Sequence, residues 1–243
     1  MYKKKVGNAG FVDFVSKSGD DHLIATSARV SYGRSGEEIT EGWTRRFLTG
    51  LLEMGHETPF EHCSITVDCK VPMIVIRQWI RHRTGKYNEY SGRYAEMKPD
   101  FYLPGTFRVK DGVEWSEEMN GKALEILTSA YDAAYDAYRK LLAMGVVREL
   151  ARLVIPLGVY TEFRWTIDLR NLFHFLDLRL DASAQKEIRE FASVIYETLP
   201  KLFPAAAVAY RRSRGLEEGY EPSIRNPKFC IEATKATDEE GCE

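Results

Sequence analysis

The sequence predicts an α+β fold, a single domain with a mostly antiparallel sheet and segregated helices. Three observations predict it. Ser64–Val71 and Val159–Asp168 alternate apolar and polar residues, the period of a strand with one buried face. Other stretches repeat apolar residues every three or four positions, the period of a helix packed on one side. No internal repeat, low-complexity linker or domain boundary interrupts the pattern, so residues 1–230 read as one domain. Residues 231–243 are polar and acidic and read as a disordered tail.

Phe11–Val15 is a short apolar strand closed by Ser-Lys-Ser-Gly-Asp-Asp. Asp20 or Asp21 can cap a helix through Arg29, because a carboxylate accepts from first-turn amides. A second helix spans Thr40–Met54 on a stripe of Phe47, Leu48, Leu51 and Leu52, and Gly55 ends it. In Ser64–Val71, Ile65, Val67, Cys69 and Val71 face one way. Pro72 stops that strand and starts a helix to about His82, broken by Gly85. Phe101–Gly105 is extended. Leu124, Leu127, Tyr131, Ala134, Tyr138 and Leu141 make a long helix from Ser116 to Met144, with Gly145 as its stop. A short helix over Val146–Ile155 is closed by Pro156. After the second alternating strand come helices over 169–180, 183–200 and Phe203–Arg214.

A formal net charge of -2 argues against a general nucleic-acid coat, so anion binding must come from local clusters. Cys63, Cys69, Cys230 and Cys242 form no CxxC pair, which disfavours a zinc ribbon or thioredoxin-like motif and suits a reduced, cytoplasmic protein. The N-terminal lysines are followed by no apolar h-region, and no stretch approaches the roughly 20 apolar residues of a membrane span.

One segment departs from this balance. Residues 77–94 hold Arg77, Arg81, Arg83, Arg93, Lys86 and His82 against one carboxylate, Glu89. Arginine forks match phosphate oxygens in pairs, and a self-repelling cluster wants an anion. On a helix reaching His82, Gln78, Arg81 and His82 share a face. Ser91 and Gly92 allow close backbone approach, so successive amides there can cradle a second phosphate. The spacing says polyanion site and names no ligand. A solvated basic loop is the plain alternative, but the mixture of Arg with Gln, Asn, Ser and aromatics suits ligand reading better.

Arg81-His82-Arg83, seven residues and then Ser91 resemble the RHR-x7-S signature of flavin-dependent thymidylate synthases, continued here by Asn88, Glu89, Arg93 and Tyr94. His56–His62, Arg148–Arg152 and Leu178-Arg179 are similar too, and the likeness runs over roughly residues 10–215. It implies an enzyme that makes dTMP from dUMP with 5,10-methylenetetrahydrofolate, FAD and NADPH, working as a homotetramer with shared active sites. It implies FAD contacts at Thr58, Arg81, His82, Arg83, Glu89, Asp168, Arg170 and His174. It implies dUMP contacts at Gln78, Arg81, Glu89, Ser91, Gly92, Arg93, Arg152 and Arg179. Arg179 against the uracil ring would stabilise the anion left by loss of the N3 proton and raise nucleophilicity at C5. Asp168 departs from the Asn of many members; either it pairs with Arg170 or its contact is through the backbone.

Neither Cys63 nor Cys69 has a basic neighbour to lower its pKa, so no cysteine nucleophile is expected. Ser91 lacks an adjacent base and reads as a binding residue. His82 between arginines should stay neutral. Two rivals remain. An RNA-binding module would use Trp79, Tyr87, Tyr90 and Tyr94 among the basic groups, against the overall negative charge. A metal-dependent hydrolase would use His56, Glu57, Glu61 and His62, whose spacing reads better as a cap and turn.

Overall fold

The computed structural model describes residues 2–31, 33 and 40–216. The predicted tail over 231–243, with Cys242, lies outside them, and so does Cys230. In chain order the elements are β1 (Tyr2–Val6), β2 (Gly10–Ser18), α1 (Asp21–Val30), α2 (Glu41–Glu53), β3 (Ser64–Pro72), α3 (Met73–Trp79), β4 (Lys86–Glu89), α4 (Glu117–Ala143), α5 (Arg148–Ala151), β5 (Tyr160–Asp168), α6 (Leu169–Arg179), α7 (Lys186–Leu202) and α8 (Pro204–Ser213). Turns of 3-10 helix lie at Thr58–His62 and Arg152–Val154. The strands form one sheet in the order β1-β2-β3-β5-β4. The class is α+β, as the alternation and periodicity predict. No described helix is long and apolar enough to cross a membrane.

Contacts divide the chain into two compact units, one of Met1–Phe14, Val67–Arg81 and Tyr87–Trp165, the other of the remaining residues. The sequence shows no boundary because β2, β3 and β5 each begin in one unit and end in the other, with no linker at the change.

The first unit holds β1, which the sequence reading missed. Its three lysines hide the alternation, and lysines suit an edge strand because they discourage further pairing. β1 pairs antiparallel with β2, Tyr2 opposite Phe14 and Val6 opposite Gly10, across a turn where Gly7 takes φ 62°. The core here centres on the fully buried Trp79, edge-on to Phe163 at 5.3 Å and to Trp165 at 5.2 Å. These are inward residues of the β5 alternation. The long helix α4 buries only Tyr131 and Tyr138 of its predicted stripe. Tyr131 stacks on Phe101 at 4.5 Å, and the Tyr138 hydroxyl accepts from the Met97 amide at 3.0 Å.

α3 is shorter than predicted, and the reason is local. The Ile80 amide still closes an α-helical bond to Ile76 at 3.0 Å, but the Arg81 amide tightens onto Gln78 at 3.3 Å. The Trp79 carbonyl, which a continuing helix would need for residue 83, accepts instead from the Tyr87 hydroxyl at 3.1 Å. Arg81 and His82 therefore lie beyond the helix, and the shared helical face expected for Gln78, Arg81 and His82 does not exist.

The second unit is mainly helical. α2 and α7 each pack on α8, and α6 packs on α7 and on the 58–62 turn. Of the two candidates Asp20 and Asp21, the Asp20 side chain caps α1, and Thr40 caps α2. α8 has no cap of its own; Asp21 accepts from the Ala205 and Ala206 amides at 2.8 and 2.9 Å, satisfying first-turn donors from α1. Cys63 sits against Gly19, where an added Cβ would lie 2.4 Å from its sulfur.

Candidate active site

In the first unit, the segment after β4 folds against α5. The Tyr90 amide donates to the Glu162 carbonyl at 2.8 Å, which ties β4 to β5 and aims the chain at the predicted loop. The Tyr94 and Ala95 amides both donate to the Ser91 carbonyl at 3.1 Å, and the Arg93 amide donates to Ser91 Oγ at 3.3 Å. The expected cradle of successive amides is therefore narrower than predicted, since three of them are used inside the loop. Among the described residues the Ser91 and Gly92 amides carry no hydrogen bond.

Gly92 is buried, and only a glycine fits there. An added Cβ would stand 2.8 Å from Met97 Sδ, 3.2 Å from Arg152 Cδ and 3.5 Å from Arg152 Nη1. Arg152 begins the 3-10 turn after α5, is exposed, and makes no side-chain ion pair or hydrogen bond among the described residues. Arg93, the next residue along the loop, is different: its Nε donates to Glu149 at 2.8 Å. The loop is also strapped by Arg148, which donates to the Tyr94 carbonyl and pairs with Glu96 at 3.8 Å. Glu89 is held by Thr161, a buried hydroxyl on β5 that donates to its carboxylate at 2.7 Å. Gln78 is half-buried on the last turn of α3, and Arg81 is exposed and unpaired among the described residues.

In the second unit, Arg179 at the end of α6 donates from Nε to His82 Nε2 at 3.0 Å. His82 is buried, with Phe175 edge-on at 4.9 Å and the His174 ring at 5.8 Å. Burial, then the Arg179 charge, then His174 push its pKa down to about 4. The imidazole is thus neutral, as expected, though Arg179 rather than the flanking arginines supplies the charge. Because Nε2 accepts, the proton sits on Nδ1. Burial lowers the Arg179 pKa from its usual value, and its guanidinium still keeps its charge.

A cavity of about 620 Å³ in this unit is lined by Glu57, Glu61, Thr84, Asp168, Arg170, Asn171 and His174. Three of the predicted cofactor residues, Asp168, Arg170 and His174, are therefore brought together. Thr58 starts the neighbouring 3-10 turn and does not line it, and Arg83 precedes Thr84, exposed and unpaired among the described residues. Arg170 is clamped between Glu57, 3.5 Å from its Nε, and Glu61. This corrects the suggested Asp168–Arg170 pair. Asp168 caps α6 instead, accepting from the Asn171 amide at 3.0 Å and from Asn171 Nδ2 at 2.8 Å. The clamp also engages both carboxylates of the metal-hydrolase rival with a cation.

Sequence reasoning missed the partners Glu149, Thr161 and Asn171 and assigned Glu57 and Glu61 elsewhere. The one signal that could have found some of them is the Asp-Leu-Arg-Asn start of α6, which places a cap three residues before Asn171. Cys63 and Cys69 are buried and free of disulfides; burial pushes the Cys63 thiol up to about 11 and Cys69 well above its ordinary value. Neither is a ready thiolate.

The family described as thymidylate synthase complementing protein matches residues 13–205. A flavin-dependent thymidylate synthase of Thermosipho africanus is 41% identical over 213 residues, covering 83% of this chain and 92% of that one. One from Thermus thermophilus is 44% identical over 205 residues, covering 83% and 75%. Among solved structures, the UMP/dUMP methylase PolB of Streptomyces cacaoi bound with 5-Br dUMP superposes with a TM-score of 0.79 at 31% identity, covering 86% of this chain and 97% of that one. With the family matched across most of its length and the RHR-x7-S residues in place, the chain belongs to the flavin-dependent thymidylate synthase family.

Proposed function

We propose that this chain converts dUMP to dTMP, taking the carbon from 5,10-methylenetetrahydrofolate and the reducing hydride from FAD that NADPH has reduced. The balance is dUMP, methylenetetrahydrofolate, NADPH and a proton giving dTMP, tetrahydrofolate and NADP⁺. The observation that carries the reading is the cradle at Gly92. Two unused amides, a position with no room for a Cβ and an unpaired Arg152 beside it form a site for a compact dianion such as a nucleotide phosphate. Ser91 contributes backbone here; its Oγ already accepts from Arg93, which suits binding rather than nucleophilic attack. Gln78, Arg81, Glu89 and Arg93 would complete the nucleotide site.

Arg179 is the group we assign to the uracil ring. A half-buried cation whose Nε donates to a neutral imidazole is oriented without that partner offsetting its charge, and partial burial strengthens its pull on an anion forming beside it. Loss of the N3 proton then leaves C5 electron-rich enough to bond the incoming carbon.

The second-unit residues fit a flavin dinucleotide. It offers hydroxyl and ring N–H donors, which Glu57 and Glu61 can accept, and phosphate oxygens, which Arg83 can bind. His82, His174, Thr58 and Arg170 would add contacts, and Asp168, whose carboxylate is engaged in capping, would meet it through the backbone. Bound flavin would supply the hydride that reduces the transferred carbon.

The reading includes a homotetramer with shared active sites, in the cytoplasm, and residues 1–230 as one catalytic domain. Exposed Met144, Val147, Leu150, Leu153 and Leu157 flank Arg152, and such a run of apolar side chains supports a subunit contact beside the nucleotide site. The test is the visible spectrum of anaerobic protein with FAD and dUMP, before and after NADPH. A flavin band that bleaches, followed by dTMP on adding the folate, supports the proposal. Protein that takes up no flavin overturns it.

A further inference from the structure

Behind the cavity lies a chain of charged groups that the reaction does not use directly. Arg214, the residue after α8, bridges two carboxylates: its Nη2 is 3.1 Å from Asp177 Oδ2 on α6 and 3.6 Å from Glu57 Oε1. The Tyr210 hydroxyl donates to Asp177 Oδ1 at 2.8 Å, and Tyr210 stacks on Phe173 at 4.8 Å. The other oxygen of Glu57 faces Arg170 Nε at 3.5 Å, and Arg170 also pairs with Glu61. The run is continuous: Tyr210, Asp177, Arg214, Glu57, Arg170, Glu61. Only the last three line the cavity.

We propose that Arg214 is a positioning residue for the cofactor cavity: it shares Glu57 with Arg170, so that the orientation of the cavity arginine and the charge it presents are set from α8. Three carboxylates, Glu57, Glu61 and Asp177, are offset by two guanidiniums, Arg170 and Arg214. Without Arg214, Glu57 has Arg170 as its one remaining partner and draws that fork towards itself, while Asp177 keeps only the Tyr210 hydroxyl. The cavity then becomes more negative and Arg170 less available to an acceptor on a ligand. Arg214 can do this because it is half-buried and planar, with nitrogens enough for both carboxylates; a lysine in its place would serve one of them at a time. Nothing in the local sequence of α8 announces the role, since its partners lie at residues 57 and 177.

This inference rests on the flavin reading, and the experiment separates the two. The apparent Kd for FAD and for dUMP is measured by fluorescence quenching on full-length wild type, Arg214→Lys, Arg214→Gln and Arg214→Gln/Glu57→Gln, with circular dichroism and the thermal midpoint as checks of fold. Arg214→Gln should weaken FAD about tenfold and leave dUMP within about twofold, a loss of the size of one charge-assisted bond. Arg214→Lys should fall between it and wild type. Removing the Glu57 charge in the double variant should restore part of the FAD affinity, which a purely structural role would not do. Unchanged FAD affinity in Arg214→Gln, equal losses for FAD and dUMP, or a double variant no tighter than the single one would each overturn the proposal. Wild type that binds no FAD would instead sink the flavin reading itself.

Discussion

Arg152 and Arg170 carry the same side chain at an element boundary, yet they are opposite devices. Arg152 in the first unit has no partner among the described residues and stands over a glycine that leaves no room for a Cβ. Arg170 in the second unit is clamped by two glutamates. An open guanidinium is charge kept for a ligand, whereas a clamped one is a fixed donor whose charge is already offset. Arg179 is a third kind, half-buried and held by a neutral imidazole, so His82 positions it without offsetting its charge. The lesson is that a count of arginines in a motif does not measure the charge a site presents; the partners do.

The sharpest way to break this comparison is Arg179→Ala. If a cation oriented by a neutral imidazole carries ring activation, turnover should fall by about 10² to 10³ while dUMP still binds, as for loss of one preorganised donor to a developing anion. Single-turnover dTMP formation measures it, and a loss confined to KM would reassign Arg179 to plain binding. Next in size is Gly92→Ala. The added methyl must displace Met97 or Arg152, and dUMP affinity should drop by about 10-fold or more with FAD uptake intact. Calorimetric titration of dUMP reads this; full retention of affinity would move the phosphate elsewhere.

A smaller effect concerns pH. His82 is neutral in the folded protein down to about 4, whereas an unfolded histidine takes its proton near 6.5. The unfolded state therefore binds more protons across that window, so stability is fully present above about 6.5 and falls as pH drops towards 4. Thermal midpoints across this range should decline less steeply for His82→Gln, which keeps an acceptor for Arg179. Equal slopes would show that other groups govern the acid limb. Smallest of all should be the turnover change in Cys69→Ala, within about twofold, since that thiol is buried and protonated; its cost should appear instead as about 1 kcal/mol of stability from the space left behind.

The strands and helices with clean periods, β3, β5, α2 and α4, were legible because their signal is local. β1 and β4 were not. β1 is lysine-rich, and β4 is four mostly exposed residues that become a strand through pairing with β5. The end of α3 was misjudged because its terminator, the Tyr87 hydroxyl, reaches back eight residues to Trp79. The site divides the same way. The residues of the RHR-x7-S stretch could be named from sequence, but Glu149 and Thr161, which hold Arg93 and Glu89 from 56 and 72 residues away, could not, because only the fold pairs them. The same distance effect led to Asp168 being weighed as a partner of its near neighbour Arg170 when that arginine faces Glu61, 109 residues earlier.

The cap that Asp21 places on α8 spans 184 residues of chain. It closes one of the longest loops in the molecule, so it is among the contacts whose ordering cost is greatest and whose formation comes late. During synthesis the carboxylate on α1 is made long before the amides it serves, and it must wait in water until α8 emerges. A chain cut short before residue 204 would then present an acid with no helix to finish.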